Sequence, residues 1–129
     1  EDFMILKVDQ NGNKKWSKKF SDHPDNSAYD AIEASDGNFY LVGKKRIVDR
    51  YEDIRIIKTN SKGKKIWDKT YGGATTDQFN SIQELRDGGY IISGLSKSTG
   101  YRETDIWVIK TDSTGEVLWE QVFKKPKIE

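Results

Sequence analysis

Side chains able to do acid–base, nucleophilic or metal chemistry are few in this chain. It has one His and no Cys. Disulfides, thiolate metal sites and a Cys nucleophile are therefore excluded. His23 lies between Asp22 and Pro24, with Asp25 next, and this Asp–His–Asp set could in principle hold a divalent cation. A later segment of the same kind, residues 72–77, reads GGATTD and keeps only Asp77. A site carried by the fold would recur, so His23 is read as a loop residue. The Asp-x-x-Gly turns lack the run of oxygen ligands a calcium loop needs. Gly72-Gly73 has no helix after it whose N-terminus would hold a phosphate, and reads as a turn. Glu33, Gln83 and Glu84 offer acidic or amide groups on strands but form no partner set. No catalytic residue, no metal site and no cofactor is expected. Two segments remain, residues 44–52 (KKRIVDRYE) and 95–104 (LSKSTGYRET). In them Arg46, Arg50, Tyr51, Lys97, Tyr101 and Arg102 combine cations with aromatics, the types that dominate binding hot spots. They would suit an acidic peptide, a protein or a glycan.

The elements that must position these segments are repeated. Residues 2–20, 53–71 and 105–123 are three copies of one text. Each opens with Asp and an apolar run. Lys7, Lys58 and Lys110 follow at one offset, then Gly12, Gly63 and Gly115, then Trp16, Trp67 and Trp119. The period is 51 residues from Asp2 to Asp53 and 52 from Asp53 to Asp105. A second text alternates with the first: Asp36-Gly37 and Gly43 match Asp87-Gly88 and Gly94, again 51 apart. A shared offset over so many positions marks a repeat architecture.

Every segment reads as strand. Ile106, Val108 and Lys110 alternate with Trp107, Ile109 and Thr111, a period of two with two unlike faces. The returning strand is expected to place Val117, Trp119 and Gln121 on one side. Asp112 can bond the backbone that follows it, and Gly115 can take the left-handed conformation that closes a short bulged hairpin. Asp-Gly between two apolar runs, at residues 36–37 and 87–88, is the strongest local hairpin signal. Sustained helical periodicity is absent. Asp2, Asp53 and Asp105 are read as capping residues. The fold class is therefore all-β. It is built of four-stranded antiparallel units of about 50 residues, the sequence form of β-propeller blades. A stacked solenoid of hairpins is the competing arrangement.

Asp105, Lys110, Asp112, Gly115 and Trp119, preceded by Tyr71-Gly72-Gly73 and Asp87-Gly88-Gly89-Tyr90, resemble the β-propeller repeats of bacterial and archaeal secreted or surface-attached proteins. The resemblance covers nearly the whole chain and implies a location outside the cytoplasm: secreted, periplasmic or cell surface. Residues 111–119 (TDSTGEVLW) are also similar to the tryptophan-docking motif of quinoprotein propellers. They are one residue shorter, and the other copies carry Asn11-Gly12 and Lys62-Gly63 where this motif has Thr-Gly. Blade packing is the preferred reading of that segment.

The resemblance also sets expected boundaries. Residues 1–26 would be the outer hairpin of an incomplete blade, 27–78 and 79–123 complete blades, and 124–129 a charged tail. Two and a half blades do not close a ring of the usual four to eight. The chain is thus expected to be part of a larger propeller, or to be completed by other copies of itself. Its start at Glu1 fits a processed or truncated terminus. The function expected is a non-catalytic scaffold recognising protein or carbohydrate through loops on one face. The alternative is a fragment of a propeller enzyme (hydrolase, lyase or quinoprotein) whose active site lies in missing blades. With 22 basic against 21 acidic residues, the net charge of +1 gives no basic surplus for nucleic acid. Lys14, Lys15, Lys18 and Lys19 are read as the lysines of a solvated edge strand. No apolar run reaches the roughly 18 residues of a membrane span.

Overall fold

The computed structural model of the chain describes residues 3–20, 27–48, 51–71, 77–96 and 105–123. These residues form ten strands and, among them, no helix. The strands are β1 (Phe3–Val8), β2 (Lys14–Phe20), β3 (Ser27–Glu33), β4 (Phe39–Val48) and β5 (Tyr51–Thr59). After them come β6 (Lys65–Tyr71), β7 (Asp77–Glu84), β8 (Tyr90–Ser96), β9 (Asp105–Thr111) and β10 (Val117–Phe123). They make a two-stranded sheet β1-β2 and two four-stranded sheets, β3-β4-β5-β6 and β7-β8-β9-β10, each in chain order. The fold is all-β, with antiparallel pairing in open sheets.

Five hairpin turns share one geometry. Gly12, Gly37, Gly63, Gly88 and Gly115 all have φ between 84° and 87°. In the three longer repeats the residue that opens the turn locks it with its side chain. Asp9 Oδ1 accepts the backbone N–H groups of Asn11 and Asn13, each at 2.9 Å. Asn60 Oδ1 does the same with Lys62 and Lys64, at 2.9 and 3.0 Å. Asp112 Oδ1 takes Thr114 and Glu116, at 2.8 and 3.0 Å. This is the Asp–Gly division of labour expected from the sequence.

The chain divides into two compact units, Glu1–Arg46 with Arg55–Thr70, and Ile47–Ile54 with Tyr71–Glu129. In the first unit, β1 and β2 pair from Phe3↔Phe20 to Lys7↔Trp16, and then a bulge shifts Val8 onto Lys14. Ile5 and Lys7 consequently share a face with Trp16, Lys18 and Phe20. Ile5 is buried against Leu41 of β4 and Ile57 of β5, with Trp16, Phe20, Ala28 and Phe39 packed around them. The Trp16 ring meets Phe39 edge-on, at 5.8 Å between centroids. An isolated hairpin is marginal in water. Burial of Ile5, worth about 2 kcal/mol, with the half-buried Trp16 holds β1-β2 in place. Lys14, Lys15, Lys18 and Lys19 on β2 are exposed, as lysines on an edge strand should be.

In the second unit, β8 and β9 pair from Tyr90↔Thr111 to Ser96↔Asp105. Tyr90, Ile92, Trp107, Ile109 and Thr111 lie on one face and are buried. Ile106, Trp119 and Phe123 are exposed. One expectation is corrected here. A bulge shifts the register between Val117, which pairs with Thr111, and Trp119, which pairs with Lys110. The extra residue, Leu118, sends Val117 and Trp119 to opposite faces, because strand sidedness alternates by one residue. Trp119 and Gln121 stay together; Val117 leaves them. Tyr71 closes the unit from the end of β6, its Oη donating to the Gly115 carbonyl at 2.7 Å.

Candidate functional site

The recurring polar constellation sits where a Lys on one hairpin meets the Asp-Gly turn of the preceding one. In the first unit Lys58 Nζ lies 3.9 Å from Asp36 Oδ2 and 5.4 Å from the centre of the Tyr40 ring. In the second unit Lys110 Nζ lies 3.8 Å from Asp87 Oδ2. The same two carboxylates hold their own turns. Asp36 Oδ1 accepts the Asn38 N–H, and Asp87 Oδ1 the Gly89 N–H, each at 2.9 Å. One oxygen thus shapes the turn while the other faces an ammonium, and in Asp36 that second oxygen also accepts from Asn38 Nδ2 at 3.1 Å. This explains why Lys recurs at one offset: it clamps the turn of the neighbouring strand pair. Such pairs contribute only about 0–1 kcal/mol each, since both Asp residues are largely exposed.

Lys7, at the matching position of β1, differs. Its ammonium lies over the Phe39 ring, 5.3 Å from the centroid, and no carboxylate among the described residues faces it. Beside it β1 borders two open hollows. One, of about 270 Å³, is lined by Met4, Ile5 and Leu6 with Ala28, Asp30, Ala31 and Leu41. The other, of about 320 Å³, runs on past Lys7 and Val8 to Ile32, Glu33 and Phe39.

A buried ion pair was not anticipated from the sequence. Arg55 is fully buried and its guanidinium forks onto Asp68, Nε to Oδ1 at 2.9 Å and Nη2 to Oδ2 at 2.5 Å. Lys65 Nζ approaches the same carboxylate at 3.5 Å. The signal was available: Arg55 stands inside an apolar run, at the position held by Met4 and Trp107 in the other copies. A bidentate pair of this kind is oriented and saturated, which suits a structural role.

Among the titrating groups, Asp9 has its carboxyl held below the usual range. The N–H of Asn13 is the largest cause, opposed by slight desolvation and reinforced by Asn11. The lowering follows from the turn lock and does not signal catalysis.

The residues proposed for binding are only partly placed. The expectation of a joining loop over residues 44–52 is corrected: β4 runs to Val48 and β5 starts at Tyr51, so Arg46 and Tyr51 stand on strand backbones and only residues 49–50 lie between the strands. The side chains of Arg46 and Tyr51, and Arg50, Lys97, Tyr101 and Arg102, lie outside the described residues. Asp22, His23, Asp25 and the Gly72-Gly73 pair lie outside them too, as do Asp2 and the side chains of Asp77 and Asp105. Asp53 is half-buried. Glu33 and Gln83 are exposed and Glu84 is half-buried. Among the described residues no group of three or more His, Asp or Glu could hold a metal ion. Among them, too, no helix is long and apolar enough to cross a membrane. Trp119, in the segment similar to a tryptophan-docking motif, is 43% exposed. No family model and no curated protein matches this chain.

Proposed function

We propose that the chain is a non-catalytic β-propeller repeat scaffold that recognises an acidic protein or glycan ligand. The observation that carries this is the identity of construction in the two four-stranded sheets. Both run in chain order, turn on glycines of the same φ, and carry the same Lys–Asp clamp. Invariant machinery in each repeat goes to strands and turns. What varies is residues 44–52, which span the end of β4 and the start of β5, and residues 97–104 between β8 and β9, where the cations and aromatics collect. A constant frame with variable strand junctions is the economy of a binding scaffold. Other blades, or other copies of the chain, would complete the ring, and the location would be secreted, periplasmic or cell surface.

The test is a screen of acidic peptides and glycans against the full chain and two loop variants. One is Arg46→Ala/Arg50→Ala/Tyr51→Ala, the other Lys97→Ala/Tyr101→Ala/Arg102→Ala. A ligand that loses about tenfold or more in affinity with either variant, at unchanged melting temperature, supports the proposal. A ligand held equally by both variants, or the absence of any ligand, refutes it.

A further inference from the structure

We propose that the outer strands β2 and β6, with the turn at residues 60–64, form a second binding surface, and that its partner is an acidic polysaccharide. None of the six junction residues named above belongs to this surface. The inference stands on the charge and placement of two hairpins and does not need the ring to be complete.

The charge is concentrated. Residues 9–19 carry four Lys and one Asp, net +3, and the equivalent residues 60–70 carry four Lys and one Asp, again net +3. The balance of +1 over the whole chain hides this. The third copy is an internal control. Residues 112–122 have no Lys and three acidic residues, net −3, yet they form the same turn and the same kind of outer strand. The fold therefore does not require the lysines. Protection of a strand edge is not enough to explain them: β10 is an edge too and does without, and Lys62 and Lys64 stand on a turn.

The structure brings two of these segments together within one compact unit. A Cβ on Gly63 would lie 2.7 Å from Lys18 Cγ, so the Lys18 stem crosses the turn between Lys62 and Lys64. All three lysines are exposed. Their stems are rooted within about 10 Å of one point, close to the screening length of physiological salt. Among the described residues no carboxylate pairs with Lys18, Lys62 or Lys64. The two acids of these segments are engaged elsewhere. Asp9 Oδ1 accepts the N–H groups of Asn11 and Asn13, and Asp68 is held by Arg55 and Lys65. Ammonium groups gathered in this way repel one another. A polyanion that neutralises them relieves the repulsion and releases counterions.

The groups around the charge select the partner. From Lys14 to Lys19 the strand spans about 17 Å, so the partner repeats its anionic groups along its length. A single-stranded nucleic acid needs open aromatic faces for its bases. Trp16 lies against Phe39 and over Gly63, and Trp67 lies against Tyr40 at 6.0 Å, both half-buried. A lipid surface takes up apolar side chains as well as charge, and Ile66 is the one exposed aliphatic on these two segments. An extended acidic peptide would pair with the strand edge, which lysines obstruct. Asn11, Asn13 and Ser61, exposed beside the lysines, supply the neutral donors and acceptors that suit sugar hydroxyls.

The experiment measures binding of the full chain to a heparin fragment (sulfated) and to polygalacturonate (carboxylated). Dextran, a poly-glutamate peptide, a single-stranded oligonucleotide and phosphatidylserine vesicles serve for comparison. One or both acidic polysaccharides should bind, dextran should not, and affinity should fall about tenfold or more between about 0.05 and 0.2 M salt. Lys18→Gln/Lys62→Gln/Lys64→Gln keeps the inner methylenes of each stem. It should melt at or above the parent's temperature and bind about tenfold or more weakly. Lys18→Arg/Lys62→Arg/Lys64→Arg keeps the charge and should bind within about threefold of the parent. The two junction variants should bind within about threefold as well, since their charges are screened from this surface. Failure of both polysaccharides to bind, or equal binding by the Gln variant, overturns the proposal. So does a loss confined to the junction variants, or tighter binding of the peptide, the oligonucleotide or the vesicles than of both polysaccharides. Repeating the earlier ligand screen on the Gln variant removes this surface from it, so the two readings fail separately.

Discussion

Gly63 and Gly12 offer a direct measurement of how the β1-β2 hairpin is seated. Both glycines close the same turn, with φ of 86° and 84°. Their surroundings differ. A Cβ on Gly12 would meet nothing within 4 Å. A Cβ on Gly63 would lie 2.7 Å from Lys18 Cγ and 2.8 Å from Trp16 Cζ3. Gly12→Ala should therefore cost only the left-handed conformation, about 1 kcal/mol. Gly63→Ala should cost that and the overpacking of Lys18 and Trp16, about 1–3 kcal/mol more. Urea unfolding of the two variants, at equal m-values, reads the difference.

The cause can be isolated by a cycle. Trp16→Ala removes the ring that Gly63 lies beneath. On that background Gly63→Ala still meets Lys18 Cγ, so it should recover only part of the excess, giving a coupling of about 1 kcal/mol between residues 16 and 63. Equal costs for Gly12→Ala and Gly63→Ala, or additivity within about 0.5 kcal/mol in the cycle, would refute the placement of Trp16 over the 60–64 turn.

Two further outcomes follow from the polar contacts. Asp68→Ala leaves Arg55 charged and buried, and should cost about 3 kcal/mol by urea unfolding, while the paired change Arg55→Met/Asp68→Leu should recover most of it; Met is the residue at the matching position of β1. Asp9 has its carboxyl lowered by the N–H of Asn13, so its stabilising effect is full above the unfolded value near 3.8 and is lost as pH falls through the lower folded value. Asp9→Asn keeps the acceptor, as Asn60 does in the second copy, and should match the parent at pH 7 but lose this part of the acid sensitivity; an unchanged acid transition would contradict the turn lock.

The strands and turns were legible because they depend on local chemistry. Asp112 and Gly115 each do one job within four residues of chain, and the alternation of Trp107 and Ile109 with Ile106 and Val108 states which residues share a face. The bulge at Leu118 was not legible. The text is continuous across it, and only the pairing of Val117 with Thr111 and Trp119 with Lys110 shows where sidedness switches. Arg55 carries a signal, a charge inside an apolar run, but its pairing with Asp68 is hidden for a related reason. The partners are thirteen residues apart on two strands.

The Lys–Asp clamp changes how the repeated text should be read. From sequence, the recurring Lys and the recurring Asp-Gly belong to different segments, and each has an ordinary local explanation. The structure joins them in both four-stranded sheets, so the two texts are halves of one unit whose polar positions answer each other across a strand pair. That makes the first copy the informative one. Lys7 carries its half of the clamp beside hollows along β1, with the aromatic face of Phe39 in place of a carboxylate. A lysine over an aromatic ring is satisfied only in part. The three lysines thus keep one place on the backbone and differ in what answers them, a carboxylate in two copies and a ring in the first.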